Sequence, residues 1–237
     1  MMNKETMEEK HGELAIVATP IGNLGDITLR ALDSLKAADV IFAEDTRVIA
    51  RLLAHYEIRK SLLRYDEHAH ERASEEVLRF LREGKRVVFV SDAGTPGIAD
   101  PGSRLVARVR AEEPAANIIP IPGASAITTL LSVSGLSADQ FVFLGFPPHK
   151  KGRKTFFENL TTNTIWPAVF YESPHRIGKA LASIREVLGD ERRLIVGREL
   201  TKVHEEIFTG TVKEAAGRFG GEEGESRGEF AVVVAGE

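Results

Sequence analysis

RVVFVSDAGTPGIADPG, Arg86 to Gly102, is the stretch whose reading decides the fold. Val87 to Val90 is a continuous apolar run of β-branched and aromatic residues, the mark of a strand buried on both faces. The residues after it cannot form a regular element, because Gly94, Gly97 and Gly102 alternate with Pro96 and Pro101. Glycines there permit positive φ and let a ligand approach the backbone closely. Asp100-Pro101 reads as a helix cap and first helical residue. A cap alone would leave Asp92 to Ile98 without a purpose. A glycine-rich turn at the carboxyl end of a buried strand is where α/β sheets hold ligands.

Working outward, the same grammar repeats. Leu14 to Ala18 reads as a buried strand ended by Thr19-Pro20, and Val40 to Ala43 as a second. Leu29, Leu32 and Leu35, then Val48, Ile49, Leu52, Leu53 and Tyr56, then Val77, Leu78 and Leu81 recur at helical spacing. Asn117 to Ile121 is another strand, followed by a helix over Ala124 to Ser134. Strands alternating with helices predict a mainly parallel sheet covered on both faces. Past a strand over Phe141 to Phe146 the pattern changes. Strands at Ala168 to Tyr171, Leu194 to Val196, Glu206 to Thr209 and Phe230 to Val234 surround one clear helix, Ile177 to Leu188, so a mixed sheet is expected. The proline-rich, then basic run Pro147 to Lys154 is the boundary candidate. The reading is therefore a flexible extension over 1–13, an N-terminal α/β domain over 14–146 and a C-terminal α/β domain over 147–237.

Composition narrows function. The chain has 237 residues and no Cys, which excludes disulfides, zinc–thiolate sites and a cysteine nucleophile and suits a reducing cytoplasm. No apolar run approaches the roughly 18 residues of a membrane helix. The net charge of −4 argues against a generic nucleic-acid binder, so any RNA contact must rest on a local basic patch. The dense basic cluster is His149-Lys150-Lys151-Gly152-Arg153-Lys154, which reads either as phosphate-gripping or as a solvated linker face. The loop PIGNLGD, Pro20 to Asp26, lacks both the dinucleotide and the P-loop glycine patterns, so NAD binding and ATP hydrolysis lose support. Asp26 reads as the cap of the next helix.

Two further segments place polar groups just after strands. Glu44-Asp45-Thr46-Arg47 supplies carboxylates at the sheet edge, with Asp45 or Thr46 as a cap. Glu172-Ser173-Pro174-His175-Arg176 reads as Ser173 capping, Pro174 opening a helix, and His175 and Arg176 facing outward, a setting suited to a phosphate. His204-Glu205-Glu206 offers no third spaced ligand for a metal, so none is expected.

Taken together, TPIGNLGD, AEDTR at Ala43 to Arg47, SDAGTPGIADPG, PIPGASA at Pro120 to Ala126 and FYESPHR at Phe170 to Arg176 resemble the small-subunit rRNA ribose-2′-O-methyltransferase I branch of the tetrapyrrole methylases. The resemblance implies two α/β domains with a cleft between them, S-adenosylmethionine as methyl donor, and a homodimer. Its implied substrate is a cytidine in the decoding region of bacterial small-subunit rRNA, naked or in the 30S particle. Donor contacts are expected from Pro20, Gly22, Asp92, Ala93, Gly94, Thr95, Ile98, Ala99, Ser125 and Ala126. Relatives with Gly-Asp-Pro in the donor loop match Gly94-Thr95-Pro96 here. A ribose hydroxyl is a poor nucleophile, so Glu44, Asp45 and Glu172 are the candidate bases. Arg47, Lys150, Lys151, Arg153, Lys154, His175 and Arg176 are the candidate RNA contacts. Two rivals stand beside this reading: a methylase acting on a tetrapyrrole, which shares the donor loops but would not need the basic run or Phe170 to Arg176, and a ligand-sensing or ribosome-binding module that keeps the fold without turnover.

Overall fold

The computed structural model describes residues 11–66, 69–221 and 227–236, which form two compact units. Of the described residues, unit 1 holds those up to 20 and from 24 to 124, and unit 2 holds 21–23 and those from 125 onward. The first ten residues of the expected flexible extension, and part of the Gly/Glu-rich turn near the C-terminus, lie outside the described residues.

Unit 1 alternates β1 (Glu13–Val17), α1 (Leu29–Ala37), β2 (Val40–Ala43), α2 (Thr46–His55), β3 (Ser61–Arg64), α3 (His70–Arg82), β4 (Arg86–Val90), α4 (Gly102–Glu112) and β5 (Asn117–Ile121). The five strands form one parallel sheet in the order β3-β2-β4-β1-β5. β4 explains why the sheet must be covered twice. Its Val88 and Val90 pack with Ile49 and Leu53 of α2 and Leu35 of α1, whereas Val87 and Phe89 pack with Val77 and Leu78 of α3 and Leu105 and Val109 of α4. Each fully buried apolar side chain of this kind stabilises by about 1.5–3 kcal/mol. The chain leaves adjacent β1 and β4 toward helices on opposite faces, and such a divergence is where open α/β sheets bind ligands.

Unit 2 begins with α5 (Ala126–Ser132) and continues through β6 (Val142–Phe143), α6 (Arg153–Glu158), β7 (Ala168–Glu172), α7 (Ile177–Leu188), β8 (Arg193–Arg198), β9 (Glu206–Thr211), α8 (Val212–Phe219) and β10 (Phe230–Val234). Its sheet runs β6-β7-β10-β8-β9, parallel only between β6 and β7, which is the mixed sheet the sequence predicts. One face packs Phe170, Val196 and Val232 under α6, α7 and α8, and the other packs Val169, Ile195 and Val233 under α5.

The division between units corrects the expected boundary at 146/147. Ile127, Leu130 and Leu131 of α5 pack on the second sheet, and β6 pairs with β7, so both elements belong to unit 2. Residues 11–13 are not an extension either: Glu13 opens β1, and Gly12 packs against the backbone of Leu81. The strand expected over Phe141 to Phe146 is regular only at Val142–Phe143; its hydrogen bonds to β7 continue through Leu144 and Gly145, where the backbone turns at φ +69°. Two helices are additional to the expected ones, α6, which starts at the end of the basic run, and α8 between β9 and β10. α8 carries a capping box, Thr211 with Glu214.

Candidate functional site

In unit 1 the loops leaving β1, β2, β4 and β5 are tied into one construction at the carboxyl edge of the sheet. The backbones of Thr19 and Gly94 bond in both directions, at 2.9 and 3.1 Å. Thr19 Oγ1 donates to the Ser91 carbonyl at 3.3 Å, and Thr95 Oγ1 donates to the Ala124 carbonyl at 3.2 Å. Gly123 lies where any Cβ would meet the Ala18 methyl at 2.9 Å, so the loop after β5 rests on the end of β1. Asp92 Oδ1 accepts the Asp45 amide at 2.7 Å and binds the β2 loop to the β4 loop. The Tyr56 hydroxyl donates to the Leu24 carbonyl at 2.6 Å and holds the first loop.

The structure thereby sorts the expected donor residues. Gly94 at φ +76° spends both backbone groups on Thr19. Asp100 accepts from the amides of Gly97 and Gly102 at 2.7–2.8 Å. α4 starts one residue later than expected, with Asp100 bracing the loop and Pro101 in the cap position. Ala93, Ile98 and Ala99 are exposed, and their amides donate to no acceptor among the described residues. Ala99 holds φ +64°, a conformation that costs a non-glycine residue energy and that surrounding structure must maintain. The loop is thus a braced frame with free main-chain donors on its rim. Pro20, Asp92 and Thr95 belong to this unit, whereas Gly22, Ser125 and Ala126 belong to unit 2. Gly22 is needed for packing: a Cβ there would meet Thr201 Oγ1 at 2.8 Å. Thr28, not Asp26, caps α1, accepting the Ala31 amide at 3.1 Å.

The three candidate bases differ sharply. Glu44 sits half-buried at the end of β2, and its pKa is pushed up from 4.5 to about 6. Burial is the main cause, followed by the negative charges of Asp92, Asp100, Asp66 and Asp45. Asp45 instead caps α2 through the Arg47 amide and pairs with the Arg47 guanidinium at 2.5 Å. Hydrogen bonds from Arg47 hold its carboxyl well below the usual carboxylate range. Glu172 is buried, with Arg153 on one oxygen at 2.9 Å and Arg176 on the other at 2.8 Å. A carboxylate so occupied is ill placed to take a substrate proton.

That pairing corrects the expectation for the second-unit segment. Ser173 does not cap a helix: α7 starts at Ile177 after a turn, and Ser173 Oγ accepts from Arg176 Nε at 3.0 Å. Arg176 does not face outward. Its guanidinium also donates to the Pro147 carbonyl at 3.1 Å, and Arg153 reaches the Pro148 carbonyl at 3.4 Å. Both arginines are a clasp across the Pro147–Lys154 segment. Among the expected RNA contacts, Arg47, Lys150, Lys151, Lys154 and His175 are exposed. Lys150 and Lys151 enter no ion pair among the described residues, while Lys154 stands 3.6 Å from Glu158. Sequence reading missed the clasp, since Glu172 and Arg153 lie 19 positions apart. It also missed Phe146, an exposed aromatic directly before the basic run, whose adjacency to His149-Lys150-Lys151 was the available signal.

These loops and sheets define a class. The chain belongs to the tetrapyrrole (corrin/porphyrin) methylases, whose family model matches residues 13–216. Its curated relatives narrow this further. The chain is 44% identical over 223 residues to the "Ribosomal RNA small subunit methyltransferase I" of Neisseria meningitidis, covering 94% of this chain and 76% of that protein. It is 44% identical to the Thermotoga maritima protein of the same name, covering 95% of this chain and 99% of that one. The Bacillus subtilis protein of that name is 43% identical over 95% of this chain and 75% of its own length. Among solved structures, diphthine synthase (TM-score 0.70, 15% identity, 94% and 90% covered) and a cobalt precorrin-4 methyltransferase (TM-score 0.68, 18% identity, 94% of each covered) share the fold.

Proposed function

We propose that this chain transfers a methyl group from S-adenosylmethionine to the ribose 2′-oxygen of a cytidine in the decoding region of bacterial small-subunit rRNA. The observation that carries the reading is the likeness, at 44% identity over 94% of the chain, to proteins named as small-subunit rRNA methyltransferases. The unit 1 loops fit the donor. The rim of Ala93, Ile98 and Ala99 offers free main-chain amides and an apolar side chain, and the frame of Thr19, Gly94, Asp92 and Asp100 fixes their position. Pro20 and Thr95 lie in that frame. When bound, the donor supplies an electrophilic methyl on a sulfonium. The chain's own contribution is to hold the acceptor oxygen in line and to receive its proton.

Glu44 is the group we assign to that proton. A base with a pKa near the working pH is ionised enough to accept and basic enough to be useful. Asp45, held low by Arg47, positions α2 and the adjoining loop. Arg47, Lys150, Lys151, Lys154 and His175 contact the RNA, while Arg153 and Arg176 shape the segment that carries the lysines. The reading also takes the protein as a homodimer acting in the cytoplasm on rRNA or the 30S particle. Among the described residues no helix is long and apolar enough to cross a membrane. The test is incubation with methyl-labelled S-adenosylmethionine and small subunits from cells lacking this chain, followed by mass mapping of the rRNA. Label on one cytidine ribose is expected. Label absent from rRNA but entering a tetrapyrrole would overturn the reading.

A further inference from the structure

An aromatic ring stands at the entrance to the basic segment of unit 2. Phe146 is 51% exposed, although apolar side chains of its size ordinarily find cover. Its position is built. Gly145 turns the chain at φ +69°, and the Gly145 carbonyl accepts the Tyr171 amide at 2.9 Å. The Phe146 ring leans on the Tyr171 ring, with centroids 5.3 Å apart, and Tyr171 in turn meets Phe143 edge-on at 5.0 Å. Burial pushes the Tyr171 hydroxyl up to about 12, so this support is a neutral, mostly covered ring.

The residues after Phe146 are pinned just as firmly. Arg176 bonds the Pro147 carbonyl, Arg153 bonds the Pro148 carbonyl, and the Arg153 amide bonds the Lys150 carbonyl at 3.3 Å. Glu172 anchors both arginines from within the unit. One carboxylate faces two guanidiniums, so the clasp keeps a net positive charge beneath the segment. Lys150 and Lys151 add two exposed ammonium groups to it. A supported, exposed ring next to exposed cations on a braced backbone is a combination that holds unpaired nucleotides, the ring taking a base face and the cations taking phosphates.

We propose that Phe146 is a stacking platform for one unpaired nucleobase of single-stranded RNA, with Lys150 and Lys151 on the flanking phosphates. The proposal deepens the rRNA reading and rests on it. It separates two jobs within one segment: Phe146 supplies affinity that salt does not screen, and the lysines supply affinity that salt does screen.

The experiment measures binding of a short, unstructured, fluorescein-labelled RNA oligonucleotide to the full chain across a salt series, by anisotropy. Phe146→Ala weakens binding roughly 5- to 100-fold and leaves the salt slope as in the parent. Phe146→Trp binds as the parent does or more tightly, and its added indole fluorescence is quenched as RNA binds. Phe146→Leu, apolar but without a π face, binds as weakly as Phe146→Ala. Parent-like affinity for Phe146→Ala, full recovery with Phe146→Leu, or unquenched Phe146→Trp would each overturn the platform. A sedimentation shift in Phe146→Ala with unchanged RNA affinity would also overturn it, and would assign the ring to a contact between copies of this chain. Methyl transfer by the parent to small subunits is measured alongside. Active parent with a neutral Phe146→Ala defeats only the platform, whereas inactive parent with an RNA-weakened Phe146→Ala defeats only the rRNA methylation reading.

Discussion

Replacing Glu44 by Gln separates the chemistry of this site from its folding, because the two move in opposite directions. Burial and four neighbouring carboxylates raise the Glu44 pKa from 4.5 to about 6. The folded chain therefore binds this proton more tightly than the unfolded chain. The favourable contribution is fully present below about pH 4.5 and is lost as pH rises through about 6. At pH 7 the ionised group destabilises the fold by at most about 2 kcal/mol, and screening of this partly exposed side chain reduces that to about 1 kcal/mol. Glu44→Gln keeps the shape, removes the charge, and raises stability at pH 7 by about 1 kcal/mol. Near pH 4.5 the gain disappears.

Activity goes the other way. With a pKa of about 6, about one tenth of Glu44 is ionised at pH 5 and about nine tenths at pH 7, so the parent's single-turnover rate climbs about tenfold across that interval. Glu44→Gln loses about 100-fold or more at pH 7 and loses the limb, with RNA and donor affinities changed far less. The assays are single-turnover methyl transfer against pH and denaturant unfolding followed by circular dichroism. A Glu44→Gln chain with the parent's rate and pH profile would show that Glu44 is not the base. A variant less stable at pH 7 would refute the electrostatic argument itself.

Other substitutions test the remaining parts of the argument. Glu172→Gln leaves Arg153 and Arg176 without their shared carboxylate and is expected to cost unit 2 about 3–5 kcal/mol. Fluorescence of Trp166, the single tryptophan, reads this in a denaturant titration, and a loss below about 1 kcal/mol would contradict a buried clasp. Gly94→Val places a β-branched residue at φ +76° and strains the bridge to Thr19, so calorimetric donor affinity should fall at least about tenfold. Unchanged donor affinity in the folded variant would remove Gly94 from the site. Changing Lys150 and Lys151 together to Gln should reduce the slope of log affinity for single-stranded RNA against log salt by about 1.4. An unaltered slope would make the segment a solvated surface only.

Much of the architecture is legible in the sequence alone. Val87 to Val90 has to be a doubly covered strand, because neither face of it offers a polar side chain to water. Val40–Ala43, Asn117–Ile121, Ile177–Leu188 and Phe230–Val234 fall at the expected residues, since the strands are mainly apolar runs between polar or turn residues and the helix carries a clear period. The elements that escaped were those without such a signature. β3 spells Ser-Leu-Leu-Arg, with only two apolar residues, and α6 opens on Arg153-Lys154, which read as the end of the basic run. The unit boundary escaped for a related reason. Proline and charge mark Pro147–Lys154 as a loop, but the side on which α5 packs depends on which sheet its leucines meet.

The site divides along the same line. The sequence by itself determined where ligands can approach, because glycine and proline restrict the backbone locally and the loop after β4 needs no distant partner to be recognised. It also determined which segments carry charge. Only the tertiary structure decided what each charge does. Glu44, Asp45 and Glu172 look interchangeable in the chain, yet one is left with a raised pKa, one is kept ionised as a helix cap paired with Arg47, and one is buried between two arginines. Arg153 and Lys150 stand three positions apart, and one is internal while the other is exposed. Protonation and pairing depend on distance and dielectric, and these are set by residues brought together from far along the chain, which no local spacing encodes.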